Sequence, residues 1–312
     1  MRKSRTFLIS AVCIFLIILM LLSTGCGQSK PQAVLHGEDE TGYISCSKNL
    51  LNVDIESSQA FVYDLQNGKF VFIKGENEIL YPASTTKLLT IIFALTVLEL
   101  DALVTPTDEL DLVMPDSSIA YIKKNHILTV EMLIEGMLLP SGNDAAYVLA
   151  AAAGKVISGD KTISGKEAVD VFINGMNNYG QKIGLCGSNF ITPDGYYNQD
   201  HYSTVEDMAI ISLLAYNNDL IMKYAGVQKD SVVYASGHTN TWENTNLMLD
   251  GDSEFYSPYV TGLKTGSAGK GNYCFICTFE KESQKYIAGV FSSESNDTRF
   301  SDMLKIVDLL MN

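Results

Sequence analysis

The chain is short of positive charge. Its 312 residues contain 22 lysines and arginines against 36 aspartates and glutamates, which gives a formal net charge of −14. Proteins that bind phosphate backbones do so through clustered Lys and Arg side chains. We therefore expect no nucleic-acid partner, and the acidity by itself indicates nothing more specific than solubility.

Patterns typical of metal sites are missing as well. None of the four histidines lies at HExxH or a similar ligand spacing. Cys274 and Cys277 form the stretch "CFIC", but it alternates like a β-strand and no second ligand pair follows it. We predict neither a metal nor any other cofactor, and we interpret the lone tryptophan, Trp242, as a packing residue.

An apolar run at the N-terminus indicates that the chain is exported. Three cations in the first five residues precede an apolar stretch over residues 7–22, and small residues follow. This order is typical of an export signal, which we place at residues 1–25. "LSTGC" resembles a bacterial lipobox, although Ser23 occupies the position where leucine is commonest, so Cys26 is a candidate for lipidation.

The alternative to lipidation is an uncleaved membrane anchor, because the apolar run is near the lower length limit for a span. Either route predicts an extracytoplasmic protein held on the outer face of the cell membrane. Residues 26–52 are polar and lack a period, so we expect a tether there. In an oxidising compartment four cysteines allow three pairings, and the sequence leaves open the choice among Cys46, Cys186, Cys274 and Cys277.

Residues 53–312 are predicted to form one domain in which strands at both ends enclose a helical middle. A hairpin opens it, because Asn67-Gly68 separates the two β-rich halves of "AFVYDLQNGKFVFI". Strand-like stretches return from about residue 231, namely "SVVYAS", "VTGLKTG", "NYCFICTFE" and "KYIAGVFSS". Because strands distant in sequence can complete an antiparallel sheet, we expect an α+β fold with helices flanking the sheet and an inserted, mostly helical subdomain.

The helices are predicted from apolar runs and from capping residues. Runs of helical character extend from Thr85 to about Leu100, over about Val130 to Leu138, through "NDAAYVLAAAAGKV", and from about Thr298 to Leu310. Two further helices are indicated by capping boxes, Ser164 with Glu167 and Ser203 with Glu206.

Ser84 and Lys87 lie three positions apart in "YPASTTKLL", at the head of an apolar helix. On a helix these positions share a face, so the amine can reach the hydroxyl. A serine hydroxyl becomes a good nucleophile only when a neighbouring base takes its proton. Ser-x-x-Lys occurs four times in the chain, but only this copy begins a long buried helix, where a solvated lysine would oppose the helix dipole.

Two further stretches give this pair a context. "PSGNDAA" puts Ser141 and Asn143 in a loop before a helix, and "GLKTGSAG" puts Lys264, Thr265 and Gly266 at the end of a strand. Together they match the signature S-x-x-K, S-D-N and K-T-G, here with glycine in place of the aspartate. Through these motifs, and through "NFITPDGY", "HYSTVEDMAII" and "NTNLML", the chain resembles the serine-type D-alanyl-D-alanine carboxypeptidases, which are penicillin-binding proteins, from about residue 57 to its end.

The resemblance implies a β-lactamase/transpeptidase-like fold and a covalent acyl-serine mechanism. Ser84 would be the nucleophile and Lys87 the general base, its pKa lowered by burial and by the Lys264 cation. Ser141 would relay a proton to the leaving amine, and Asn143 would orient Lys87 and bind the substrate backbone.

The resemblance also implies how the substrate is held. Lys264, Thr265 and Gly266 would line the opposite wall of the cleft and attract the terminal carboxylate. The backbone N–H groups of Ser84 and Ser267 would form the oxyanion hole.

Two positions leave open how the carboxylate is bound. Ala268 stands where the family usually has threonine, so one hydroxyl is missing unless Thr265 or Ser267 substitutes. Arg299, in "NDTRFSD", matches a family arginine near that carboxylate, but a solvated arginine at a helix start is an equal alternative.

The resemblance thus implies a D-Ala-D-Ala carboxypeptidase that trims peptidoglycan stem peptides and is acylated by β-lactams. A β-lactamase is one alternative, although the Glu-x-x-x-Asn pattern of class A deacylation does not occur between Asn143 and Lys264. A non-catalytic cell-wall or β-lactam-sensing module is the other, although such a module could have lost residues that this chain retains. The sequence does not choose between carboxypeptidase and endopeptidase preference, and it does not give the oligomeric state.

Overall fold

The computed structural model describes residues 50–312 apart from Lys270. The export signal, Cys26, Cys46 and all but the last few residues of the tether lie outside the described residues. In the part of the chain that is described, no helix combines the length and the apolar character needed to cross a membrane.

Among the described residues nine strands form three antiparallel sheets. The main sheet has five strands in the order β2-β1-β9-β8-β7, and two small sheets pair β3 with β4 and β5 with β6. The strands are β1 (Gln59–Asp64), β2 (Lys69–Lys74), β3 (Leu103–Val104), β4 (Leu128–Thr129), β5 (Lys229–Val233), β6 (Thr239–Glu243), β7 (Val260–Ser267), β8 (Tyr273–Lys281) and β9 (Gln284–Ser293).

Seven α-helices accompany these strands in the described part of the chain. All but the last lie between β2 and β7, and the last follows β9. They are α1 (Lys87–Ala94), α2 (Val130–Leu138), α3 (Asn143–Ser158), α4 (Gly165–Lys182), α5 (Val205–Tyr216), α6 (Asp219–Ala225) and α7 (Asn296–Met311).

The main sheet joins strands from the two ends of the domain, as the sequence predicts. β1 and β2 form the expected hairpin, whose turn contains Gly68 at φ +63°, a left-handed conformation that glycine adopts without steric cost. β1 also pairs antiparallel with β9, where Phe61 lies opposite Gly289. The α+β fold with a helical insertion is therefore confirmed.

The sheet carries a hydrophobic core on each face, because successive strand residues point in opposite directions. On β8, Cys274 and Ile276 face the larger core with α1 to α6, whereas Phe275 and Cys277 face the smaller core beneath α7. Cys274 and Cys277 are both free, buried thiols. Three positions apart on one strand, they lie on opposite faces and cannot pair with each other.

The first predicted helix is shorter than expected. A 3-10 turn over Ala83–Thr86 comes first, and α1 ends at Ala94 rather than near residue 100. The hydroxyl of Thr96 donates to the carbonyl of Phe93 at 2.7 Å, and such side-chain bonds to the backbone compete with helical hydrogen bonds. The apolar residues that follow pack as turns against the core.

One of the two predicted capping boxes is wrong. Ser164 and Glu167 form the expected reciprocal box at the start of α4. At α5, however, Thr204 is the N-cap, and its hydroxyl accepts from the N–H of Asp207. Ser203 instead exchanges backbone hydrogen bonds with Leu80, which ties this segment to the chain just before the 3-10 turn over Ala83–Thr86.

The stretch "SVVYAS" does not join the main sheet. Its strand β5 pairs in a separate hairpin with β6, a strand that the sequence pattern did not indicate. Trp242 on β6 is buried, and its Nε1 donates to the carbonyl of Ala120 at 3.0 Å. Asn240 donates to the same oxygen at 2.7 Å. The packing role of Trp242 is confirmed, and the hairpin holds the loop that carries Ala120.

Candidate active site

The amine of Lys87 lies at the centre of the candidate site. Its Nζ is 2.8 Å from Ser84 Oγ, 2.7 Å from Asn143 Oδ1 and 3.1 Å from the carbonyl oxygen of Asp194. A charged amine can donate to all three oxygens. A neutral amine can still donate to Asn143 and Asp194 while its lone pair accepts the proton of Ser84 Oγ. The geometry therefore fits a base acting on the serine.

Two glycines allow the backbone around Ser84 to be approached closely. A Cβ on Gly266 would lie 3.0 Å from the nitrogen of Ser84, and a Cβ on Gly195 would lie 1.8 Å from the carbonyl oxygen of Ala83. Ala83 itself has φ +50°, an uncommon conformation for a residue with a side chain. The turn that presents the serine is therefore packed between β7 and the segment around Gly195.

Ser141 and Asn143 are held by a neighbouring loop. Ser141 has φ +61°, and its carbonyl accepts the hydroxyl of Ser118 at 2.8 Å. The carbonyl of Ser118 in turn accepts the N–H of Asn143 at 2.8 Å. Asn143 opens α3, so its amide reaches Lys87 from a helix start whose position is fixed by this loop.

Asp144 fixes the same loop from the other side. It is buried, and its carboxylate accepts the backbone N–H groups of Ala120 and Ile122 at 2.7 and 2.8 Å. Burial raises the pKa of this carboxyl, and the backbone hydrogen bonds oppose that effect. The carboxylate therefore ties the loop to the start of α3.

The end of β7 forms the facing wall of the site. Lys264 is buried, and its Nζ donates to the carbonyl of Thr265 at 3.0 Å. The hydroxyls of Thr265 and Thr245 lie 2.5 Å apart. Thr245 donates its N–H to the carbonyl of Leu139, just before the Ser141 loop, so it connects the two motifs.

Arg299 is buried beneath this wall and is not a solvated residue. Its guanidinium donates to the carbonyls of Gly266 and Cys274 at 2.6 and 3.1 Å and to Ser267 Oγ at 3.2 Å. It also donates to Asn296 Oδ1 at 2.5 Å. The alternative of a solvated arginine at the start of α7 is therefore wrong, and the positive charge lies directly behind the end of β7.

Burial is the main influence on the pKa values of the three basic side chains at the site, Lys87, Lys264 and Arg299. It lowers the pKa of Lys87 to about 8, against the carboxylates of Asp194 and Asp144, which raise it. Burial also lowers the pKa of Lys264 well below its usual range, with Lys87 and Arg299 adding to the effect. The structure thus assigns the lowered pKa of Lys87 to burial rather than to Lys264. Arg299, whose pKa falls by burial to about 10, stays charged at neutral pH.

Some residues at the site received no role from the sequence. Asp194 supplies the carbonyl and a carboxylate near Lys87, and Thr245 supports Thr265. Both lie in stretches that carry the family resemblance, "NFITPDGY" and "NTNLML", so the signal was present. Their roles depend on contacts with residues more than 15 positions away along the chain, which the motifs do not reveal.

Comparison with known proteins places the chain in a family. The profile of the D-alanyl-D-alanine carboxypeptidases matches residues 45–295. The chain belongs to that family. It is 32% identical over 260 residues to the D-alanyl-D-alanine carboxypeptidase of Streptomyces sp. (strain K15), covering 79% of this chain and 84% of that protein.

A second relative is longer. The chain is 29% identical over 257 residues to the D-alanyl-D-alanine carboxypeptidase DacF of Bacillus subtilis (strain 168). This match covers 81% of the chain and 61% of the Bacillus protein. The chain therefore spans only about three fifths of that relative.

Solved structures agree on the fold. The crystal structure of the Streptomyces K15 DD-transpeptidase matches with a TM-score of 0.74 at 28% identity, covering 83% of this chain and 98% of that one. Penicillin-binding protein D2 from Listeria monocytogenes, in its ampicillin-bound form, matches with a TM-score of 0.67 at 24% identity, covering 84% and 100%. The transpeptidase-like fold of this family member is confirmed.

Gly195→Ala is expected to destabilise the protein strongly. The added methyl group would overlap the carbonyl of Ala83, and Gly195 has φ +80°. Gly237→Ala is a matched control, because Gly237 has φ +82° but no atom within 4 Å of its Cβ position. In the control, the left-handed conformation should lower the free energy of unfolding by only about 1–2 kcal/mol. Calorimetry should show a clearly larger fall in Tm for Gly195→Ala. Equal losses would contradict the close approach.

Proposed function

We propose that this protein removes the terminal D-alanine from peptidoglycan stem peptides that end in D-Ala-D-Ala, through an acyl intermediate on Ser84. The observation that carries the proposal is the 2.8 Å distance between Lys87 Nζ and Ser84 Oγ, with the amine held by Asn143 and Asp194. Membership of the D-alanyl-D-alanine carboxypeptidase family supports the choice of substrate.

Acylation begins with transfer of the Ser84 proton to the neutral amine of Lys87. Oγ attacks the carbonyl carbon of the penultimate D-alanine, and the N–H groups of Ser84 and Ser267 stabilise the oxyanion. The peptide bond then breaks, and its electron pair leaves on the amine of the terminal D-alanine. Through Ser141, that amine takes the proton that Lys87 had accepted, which returns Lys87 to its neutral form and leaves an ester between Ser84 and the peptide.

Deacylation uses the same base in the second half of the cycle. Lys87 takes a proton from a water molecule as the water attacks the ester carbonyl, and the proton returns to Ser84 Oγ as the ester bond breaks. The shortened peptide leaves with a free carboxylate. No cofactor takes part in these steps.

The terminal carboxylate of the substrate is bound at the end of β7. Arg299 supplies the positive charge there, because it is charged at neutral pH and donates to Ser267 Oγ and to the carbonyl of Gly266. Since a guanidinium can only donate, Ser267 Oγ accepts from Arg299 and its own proton is available to the carboxylate. Ser267, Thr265 and Lys264 then offset the hydroxyl that Ala268 lacks.

β-Lactams would acylate the same serine, since their amide resembles the D-Ala-D-Ala bond. The Listeria structure with the same fold is of an ampicillin-bound penicillin-binding protein. The protein would act outside the cytoplasm, held to the membrane by a lipid on Cys26 or by an uncleaved N-terminal span. The apolar run and the "LSTGC" stretch support this location.

Ser84→Ala is expected to abolish labelling by a fluorescent penicillin and release of D-alanine from a peptide ending in Lys-D-Ala-D-Ala. Lys87→Ala should lower the rates of both by about a hundredfold to ten-thousandfold, because the base is lost. Ser158→Ala is the matched control, since Ser158 heads an exposed Ser-x-x-Lys copy and should change neither. Labelling is read on a gel and D-alanine by an enzyme-coupled assay.

The same experiment separates the alternatives. Rapid turnover of penicillin without D-alanine release would identify a β-lactamase. Absence of both labelling and release in the wild-type protein would indicate a non-catalytic module and overturn the proposal.

The acylation rate is expected to rise with pH and to level off above about pH 8. Below that value most Lys87 is protonated and cannot accept a proton, so the rate should increase about tenfold per pH unit. Asp194→Asn removes a carboxylate that raises the pKa of Lys87, so its rate should level off at a lower pH. Stopped-flow penicillin acylation from pH 5 to 10 measures both profiles. Identical profiles would contradict the effect of Asp194 on the amine.

Lipidation is tested on Cys26. When the full chain is expressed in a bacterium supplied with labelled palmitate, the wild-type membrane fraction should carry the label and Cys26→Ala should not. Cys46→Ala is the control, because Cys46 lies outside the "LSTGC" stretch. Unlabelled protein that keeps its N-terminus in the membrane would indicate the uncleaved span, whereas wild-type protein in the soluble fraction would overturn the tethering.

A further inference from the structure

His201 lies next to the 3-10 turn over Ala83–Thr86 and makes two hydrogen bonds. Its ring is buried, with 2% of its surface exposed. Its Nδ1 accepts the backbone N–H of Ile191 at 3.2 Å, and its Nε2 is 2.9 Å from Thr86 Oγ1. Because a backbone N–H can only donate, Nδ1 carries no proton in this arrangement. The proton is therefore on Nε2, which donates to Thr86 Oγ1.

The two partners of His201 belong to the two segments that hold Lys87. Thr86 lies in the 3-10 turn between Ser84 and Lys87. Ile191 begins the segment that reaches Asp194, whose carbonyl accepts from Lys87 Nζ at 3.1 Å. The imidazole thus connects the turn that carries the base with the segment that supplies one of its acceptors.

The surroundings of the ring keep this connection unchanged with pH. The ring lies nearly perpendicular to that of Phe190, with centroids 5.5 Å apart. Burial lowers the pKa of His201 to about 4. The imidazole is therefore neutral over the pH range in which Lys87 titrates. It keeps the same two hydrogen bonds throughout that range and transfers no proton.

We propose that His201 is a positioning residue for the acylation step, acting through Thr86 and the Asp194 carbonyl on the amine of Lys87. This connection holds the turn to the segment around Asp194 in the arrangement that places the amine 2.8 Å from Ser84 Oγ. The role rests on the proposed function, because it concerns the rate at which Ser84 is acylated.

Four variants separate the two hydrogen bonds. Thr86→Val removes the acceptor for Nε2, whereas Thr86→Ser keeps it. His201→Asn keeps an acceptor near the position of Nδ1 but does not reach Thr86, whereas His201→Gln keeps a donor near the position of Nε2. His238→Asn, at an exposed histidine on the β5–β6 hairpin, is the control for loss of an imidazole.

The expected result is a fall in the rate constant of acylation at saturating fluorescent penicillin. Thr86→Val and His201→Asn should each lower this rate constant by about tenfold, which is the effect of losing one neutral hydrogen bond. The dissociation constant of the non-covalent penicillin complex should not change, because neither residue lines the cleft. Thr86→Ser should restore the rate, His201→Gln should lose less than His201→Asn, and His238→Asn should match wild type. The double variant of Thr86→Val and His201→Asn should be no slower than either alone.

The pH profile distinguishes positioning from a merely structural role. When Lys87 is held less firmly its amine is better hydrated, so the pH at which the acylation rate levels off should move above 8 in Thr86→Val and His201→Asn. A structural role would lower Tm and leave both the rate constant of the folded protein and its pH profile unchanged. That outcome, with Ser84 labelled normally in wild type, would overturn the positioning role alone. Absence of wild-type labelling would overturn the proposed function, and the role of His201 with it.

Discussion

A lysine amine buried beside a serine hydroxyl is the constraint on which the rest of this structure depends. Lys87 has no exposed surface, and burial of its charge is unfavourable unless oxygens surround the amine. The lowering of its pKa from 10.5 to about 8 corresponds to about 3 kcal/mol against the charged form. The amine tolerates burial because Ser84, Asn143 and Asp194 each present an oxygen to it.

These three oxygens come from separate segments, so the fold must bring the segments together. The turn before α1 carries Ser84, the start of α3 carries Asn143, and a loop between α4 and α5 carries Asp194. Each segment is held by contacts that do not involve Lys87. Asp144 fixes the loop behind the start of α3, and His201 fixes the turn to the Asp194 segment.

The main sheet supplies the remaining wall. Because β7 is its edge strand, the strand can lie along the catalytic turn, and the missing side chain of Gly266 lets it approach the nitrogen of Ser84. Arg299 enters from α7 on the opposite face and places a positive charge behind this edge. The two faces of the sheet therefore contribute different parts of the site, the lysine amine from one side and the buried guanidinium from the other.

The sequence by itself determined the features whose signals are local. The Asn67-Gly68 hairpin and the Ser164 capping box each depend on residues at most a few positions apart. The three motifs indicated the family because their residue types and order are specific, and together they indicated most of the site. Even local signals failed where two polar residues adjoin, as at Ser203 and Thr204, because either hydroxyl can cap a helix.

Only the tertiary structure decided what depends on contacts between distant segments. The helix at Lys87 ends at Ala94, where Thr96 bonds to the Phe93 carbonyl and the following turns pack against the core. Arg299 proved buried because α7 packs across β8 and β9 and the guanidinium reaches carbonyls of β7 and β8. Asp194 and His201 gained their contacts from segments about a hundred residues away along the chain. The burial and the lowered pKa values of Lys87 and Lys264 also depend on the tertiary structure. Desolvation depends on everything that surrounds a group in space and not on its neighbours in sequence.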